Sequence, residues 1–143
     1  MKDAKFFLDT NIIAYTFDQD DPQKQTVAQI LLEEALRGKG CISYQVIQEF
    51  FNIALRKFNP AMSTEQAQQY LQTTLFYLCQ YYPDENLYRR ALSIQNRWRF
   101  SWYDSLIITA ALELDCKILY SEDLQHKQEI ETLMIINPFK ADL

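Results

Sequence analysis

Residues 5–15 read KFFLDTNIIAY. Phe6, Phe7 and Leu8 form a short apolar run, the pattern of a strand buried on both faces of a parallel sheet. Asp9 closes that run. Thr10 and Asn11 suit a turn or helix cap, and Ile12, Ile13 and Tyr15 resume an apolar pattern. A carboxylate therefore stands where a strand hands over to a helix. In open parallel sheets, ligands bind in the crevice beyond the carboxyl ends of the strands. On this stretch alone, capping the helix and serving a site are equally good readings of Asp9.

The chain downstream repeats the strand–helix alternation. Asp21 before Pro22 is a good helix start, with Val27, Ile30, Leu31, Leu32 and Leu36 as its apolar face and Gly38 and Gly40 as its end. Cys41 to Ser43 suit a second strand. Residues 44–58 read YQVIQEFFNIALRKF and predict a helix with Val46, Phe50 and Ile53 along one line. Asn59 and Pro60 break it. Ser63 and Gln66 fit a capping box for a helix running through Leu71, Leu75, Leu78 and Cys79. Residues 84–100 predict another helix, with Leu87, Ala91, Ile94 and Trp98 on its core face. Ser101 caps the next, which carries Leu106, Ile107, Ala110, Ala111 and Leu114. Residues 117–120 and 133–136 are strand candidates, and residues 124–131 read as a short helix or loop. The alternation predicts an α/β domain with helices on a short-stranded parallel sheet, organised as a single domain over residues 1–143.

Composition bounds the chemistry. The chain is 48% hydrophobic with only 2 glycines and 4 prolines, a composition that supports a core rather than disorder. No apolar run approaches the roughly 20 residues of a membrane helix. Asp3 and Asp9 leave no room for a signal-peptide apolar region. Cys41, Cys79 and Cys116 match no zinc spacing or disulfide framework, so reduced core thiols in a cytoplasm are expected. His126, the single histidine, argues against His-rich metal sites and a Ser-His-Asp arrangement, and reads as a solvated side chain. With a net charge of −5, a polyanion partner must be held by local cations or bound metal rather than by the overall field.

Four of the 19 acidic residues stand out. Asp9 and Asp123 end strands. Glu49 falls on the apolar stripe of its helix, where a charge is costly unless paired or bound to metal, although a marginal position reaching solvent or Arg56 also accounts for it. Asp104 aligns with Ile107, Ile108 and Ala111, and its first-turn position is equally explained by the helix dipole. Carboxylates crowded at one sheet edge need a counter-charge. A hard cation with oxygen ligands, Mg²⁺ or Mn²⁺, is the natural one without histidine or cysteine ligands.

The ordered motifs LDTNII, ISYQVIQEF, YDSLIITAA and ILYSEDL resemble the PIN domain, the fold of VapC-type toxin ribonucleases, over essentially the whole chain. The resemblance implies a three-layer α/β/α domain with a central parallel sheet. It implies Asp9, Glu49, Asp104 and Asp123 as catalytic and metal-binding acids, supported by Asn11 and Ser121, with Glu122 able to share the role of Asp123. The implied activity is Mg²⁺- or Mn²⁺-dependent hydrolysis of RNA, with a small antitoxin protein or a homodimer as partners and no membrane. A binding-only PIN-like fold and a free-standing processing nuclease are the alternatives. A phosphatase would need a second aspartate after Asp9, and a receiver domain fits poorly with Glu49 on a helix. Arg89, Arg90, Arg97 and Arg99 form the densest basic run. Arg97 and Arg99 lie nearest Asp104 in sequence, and are the expected RNA contacts.

Overall fold

The computed structural model describes residues 4–140. The Phe6–Leu8 run is strand β1, buried throughout. It leads directly into helix α1, Thr10–Tyr15, with Asp9 as N-cap. Helix α2, Pro22–Glu34, starts on the Asp21 cap, whose side chain accepts from the Lys24 N–H. A wide turn over Ala35–Lys39 carries Gly38 at φ 99°, a left-handed conformation that glycine adopts without steric cost. Strand β2, Gly40–Ser43, follows. Gly40 has a different reason: a Cβ there would lie 2.4 Å from the Phe6 ring and 2.7 Å from Ala35 Cβ.

Helix α3, Tyr44–Ala54, ends earlier than its apolar pattern. The Ala54 carbonyl accepts from the Met62 N–H, and this return of the chain replaces the expected last turn. Helix α4, Thr64–Tyr70, carries the full Ser63–Gln66 capping box. It passes through a wide turn, Leu71–Leu75, into the short helix α5, Phe76–Leu78. Cys79–Tyr81 then forms strand β3 rather than continuing the helix. Helices α6, Glu85–Trp98, and α7, Trp102–Glu113, pack closely on one another. Strands β4, Ile118–Tyr120, β5, Glu129–Ile130, and β6, Leu133–Ile136, complete the sheet. The helix or loop expected over 124–131 thus contains a short strand.

The sheet order is β3-β2-β1-β4-β6-β5. All neighbours run parallel except β5 against β6, so the sheet is mixed rather than wholly parallel. Helices flank it in a three-layer α/β/α arrangement. Ile30, expected on the core face of α2, is 54% exposed, while Ala28 is buried instead. Cys41 and Cys116 are buried free thiols with sulfurs 3.4 Å apart, and Cys79 is free and half-buried. His126 is half-buried rather than solvated: its Nδ1 accepts from the Asn137 N–H at 2.9 Å. No helix of the described residues is long and apolar enough to cross a membrane.

The central strand decides where a site can form. From β1 the chain builds outward through β2 and β3 on one side, and returns to place β4 and β6 on the other. This reversal of strand order opens a crevice beyond the carboxyl ends of β1 and β4. Asp9 follows the first of these strands and Ser121–Asp123 follow the second.

Candidate active site at the carboxyl edge of the sheet

The Asp9 N–H continues the sheet by donating to the Tyr120 carbonyl at 3.0 Å, which fixes Asp9 beside the end of β4. Its carboxyl is only 7% exposed. The Thr10 N–H donates to Oδ1 and the Ser121 hydroxyl donates to Oδ2, both at 2.8 Å. Burial pushes the Asp9 carboxyl up to about 7; the Ser121 and Thr10 hydrogen bonds oppose this, and the charges of Glu49 and Asp123 add to it. Each carboxylate oxygen can accept more than one bond, so both retain acceptor capacity.

Glu49 enters from α3, half-buried. The Thr10 hydroxyl donates to its Oε1 at 2.6 Å and the Gln45 amide to its Oε2 at 3.1 Å. The same Gln45 Nε2 donates to the Tyr103 carbonyl at 3.1 Å, tying α3 to the first turn of α7. Asp104 is the next residue in that turn. It is half-buried, and its N–H donates to the Ser101 cap. Its carboxylate makes no hydrogen bond or ion pair with any described residue.

Asp123 is exposed and accepts from the Asn11 amide at 3.0 Å, while its N–H donates to the Ser121 hydroxyl. Glu122 turns elsewhere. It pairs with Lys24, accepts from the Tyr15 hydroxyl at 2.6 Å, and donates its N–H to the Asn11 side-chain oxygen. Lys24 itself stacks over the Tyr15 ring at 4.9 Å. The geometry therefore sets Asp123, not Glu122, beside Asp9. Asp9, Glu49 and Asp123 are brought together through Thr10, Ser121 and Asn11; Asp104 joins them only through Gln45 and the Tyr103 backbone.

None of Asp9, Glu49, Asp104 or Asp123 pairs with a lysine or arginine among the described residues. This uncompensated, all-oxygen set suits a hard divalent cation. Among the described residues, no three carboxylate, histidine or cysteine groups are disposed to hold a metal on their own. Mg²⁺ does not require that: it keeps several waters and is commonly bound by one or two carboxylates together with substrate phosphate. The donors present fit such an ion.

The basic run divides. Arg89 pairs with Glu85, and Arg90 with Glu113 and Glu131. Arg97 and Arg99 are exposed and form no ion pair among the described residues. Thr10, Gln45, Tyr15 and Lys24 escape a sequence reading, since each acts on a partner remote along the chain. A groove of about 1110 Å³ leads from Asn11 and Asp123 past Lys57 and Tyr70, along the segment joining α3 to α4.

The mixed α/β sheet carries Asp9 and Asp123 beyond the carboxyl ends of β1 and β4. The sequence pattern of the PIN domain matches residues 6–128, and the chain belongs to that family. Among solved structures, it is similar to a toxin–antitoxin complex from Klebsiella pneumoniae, with a TM-score of 0.68 at 16% identity, covering 95% of this chain and 99% of that one. It is also similar to VapBC2 from Rickettsia felis bound to a DNA fragment of its promoter, with a TM-score of 0.57 at 14% identity, covering 91% and 96%. No curated protein matches the sequence.

Proposed function

We propose that this chain is a cytoplasmic, Mg²⁺- or Mn²⁺-dependent endoribonuclease and the VapC-like toxin of a toxin–antitoxin pair. The observation that carries the reading is the buried Asp9 carboxyl, faced by Glu49 and Asp123 with no cation among the described residues paired to them. The likeness of fold to toxin–antitoxin complexes supports the choice of a small protein antitoxin as partner.

Asp9 and Asp123 would hold the cation, with Glu49 and Asp104 binding it directly or through water. When bound, the metal supplies charge stabilisation at the scissile phosphate and a water of lowered pKa. The protein supplies position. Ser121 and the Thr10 N–H fix the Asp9 carboxylate, and each of their bonds favours its charged form. Thr10 and Gln45 hold the Glu49 carboxylate on two sides, leaving it placed to orient a water or accept a proton. Asn11 sets Asp123 against the same crevice.

The absence of a three-ligand cage among the described residues favours one second reading, a PIN fold that binds nucleic acid without cleaving it. A single experiment separates them. Labelled RNA is incubated with the protein in Mg²⁺ or Mn²⁺, with and without excess EDTA, beside Asp9→Asn. Cleavage lost on chelation and in Asp9→Asn supports the nuclease. Cleavage that persists in EDTA removes the metal mechanism, and RNA bound but left intact favours the second reading.

A further inference from the structure

The two edges of the sheet carry different chemistry. The acids gather beyond the carboxyl ends of the strands, and two thiols meet near the amino ends. Cys41 is the second residue of β2, and Cys116 lies between α7 and β4. Both residues are fully buried, and their sulfurs are in direct contact at 3.4 Å. The Cys41 thiol has the Phe6 carbonyl as its acceptor at 3.6 Å, which leaves Cys116 to donate to the Cys41 sulfur. A donated bond favours the charged form of the atom that receives it. The Cys116 thiol is accordingly the largest influence holding Cys41 below its ordinary value; burial opposes it, and the Lys5 charge adds to it. The same bond, followed by burial, holds Cys116 well above its ordinary value. One thiol is disposed to lose its proton and its neighbour to keep it.

Depth does not isolate the pair. Asp115 and Lys117, on either side of Cys116, are exposed, so a single turn covers it. Asp115 holds φ 59°, a left-handed conformation unfavourable for a residue with a Cβ. A surface turn can open locally while the rest of the domain stays folded. Cys79 supplies the contrast. It is half-buried, burial raises its thiol, and its sulfur faces the Tyr81 carbonyl at 3.7 Å rather than a second thiol.

We infer that Cys41 and Cys116 are an oxidative modification site, a dithiol that a small hydroperoxide converts into an intramolecular disulfide. With hydrogen peroxide, the Cys41 thiolate attacks one oxygen and the O–O bond breaks. The departing hydroxide takes up the proton that Cys41 released and leaves as water, and Cys41 is left as a sulfenic acid. The Cys116 sulfur then attacks the Cys41 sulfur. The S–S bond forms as the sulfenic oxygen leaves with the Cys116 proton, as a second water. Two thiols are oxidised by two electrons and one peroxide is reduced. The bond ties β2, which runs into α3 and Glu49, to the end of α7, which carries Asp104 in its first turn. It closes a loop over residues 41–116 and so restricts the unfolded chain. This site is independent of the nuclease reading, which concerns the opposite edge.

The test treats the reduced, folded protein with hydrogen peroxide, alkylates the remaining thiols in denaturant, and maps the peptides by mass. The expected product is a single chain, lighter by two hydrogen atoms and linked between Cys41 and Cys116. Dithiothreitol should reverse it, and Cys79→Ser should close the same bond. The oxidised protein should keep its circular dichroism spectrum and unfold at a urea midpoint higher by about 1 M or more. Cys116→Ser should stop at the Cys41 sulfenic acid, trapped by dimedone, whereas Cys41→Ser should give no trapped residue at Cys116. If a serine variant fails to fold, the peptide map of the unaltered chain still decides. Thiols that both remain open to alkylation after peroxide, a bond that includes Cys79, or a link formed only above the urea midpoint overturns the inference. So does an oxidised form with a lower midpoint, because that bond is made against the native packing.

Discussion

The Ser121 hydroxyl donates to Asp9 Oδ2 at 2.8 Å, joining residues 112 positions apart across the ends of β4 and β1. Ser121 Oγ in turn accepts from the Asp123 N–H at 3.2 Å. One small side chain thus lowers the proton affinity of Asp9 and sets the backbone that carries Asp123. Ser121→Ala should raise the Asp9 pKa above its value of about 7. Groups that orient a metal ligand typically contribute about 10- to 100-fold in affinity, so calorimetric titration should show weaker Mn²⁺ binding by that order. Unchanged affinity in a folded variant would show that the hydroxyl does not organise a metal site.

The metal-free protein should lose stability as pH rises through the acid-to-neutral range. Asp9 titrates near 3.8 in an unfolded chain and at about 7 in the folded one. Between those values the folded state keeps a proton that the unfolded state has released. The contribution of this group is therefore full below the unfolded pKa, and falls with rising pH by at most about 1.4 kcal/mol per unit until the folded pKa is passed. Asp9→Asn should flatten that slope and be the more stable protein, by a few kcal/mol at most, above about pH 7. Urea unfolding of both proteins across the range is the measurement. Parallel curves would contradict the assignment.

Gly40→Ala tests the packing beneath the site. The added methyl would meet Phe6 and Ala35, both buried, at distances no real Cβ contact tolerates. Overpacking of this kind costs about 1–3 kcal/mol. The expected outcome is a lower urea midpoint with an unchanged slope. An Ala at Gly38 meets no atom within 4 Å and is penalised only through its φ of 99°. The two glycines should therefore respond differently to Phe6→Leu, which relieves the ring's share of the clash in Gly40→Ala and does nothing for Gly38→Ala.

Arg97 and Arg99 replaced together by glutamine should weaken RNA binding and flatten its dependence on salt. The log–log slope should fall by about 0.7 for each phosphate of the single strand that an arginine had neutralised. Mn²⁺ affinity should not move. A slope identical to that of the unaltered protein would take these side chains off the RNA path.

Strands β1, β2, β4 and β6 were legible because each is a short apolar run bounded by turn residues. Strand β3 was not. Leu71, Leu75, Leu78 and Cys79 hold helical spacing up to its first residue, and only pairing with β2 makes Cys79–Tyr81 extended. Strand β5 has two residues and owes its existence to β6. The same limit governs the candidate site. Asp9 announces itself as an acid directly after an apolar strand, and Asp123 as one of two acids within three residues of the end of another. Gln45 reads as a polar residue at the start of a helix, and nothing local shows that its amide joins Glu49 to a carbonyl 58 positions away. Glu122 and Asp123 are indistinguishable in sequence. Lys24, 98 positions upstream, separates them by claiming Glu122.

The order in which the sheet is assembled gives this crevice a timing. Ser121 reaches Asp9 only when β4 lies against β1, and the Ser121 N–H is in turn held by the Ile136 carbonyl at 3.0 Å. Without β6, strand β4 would be an unpaired edge. A chain emerging from the ribosome therefore cannot complete the acidic crevice until β6 has been made. Asp9 waits for a partner made 112 positions later, and its hydrogen bond to Ser121 forms only once the last of these strands is in place.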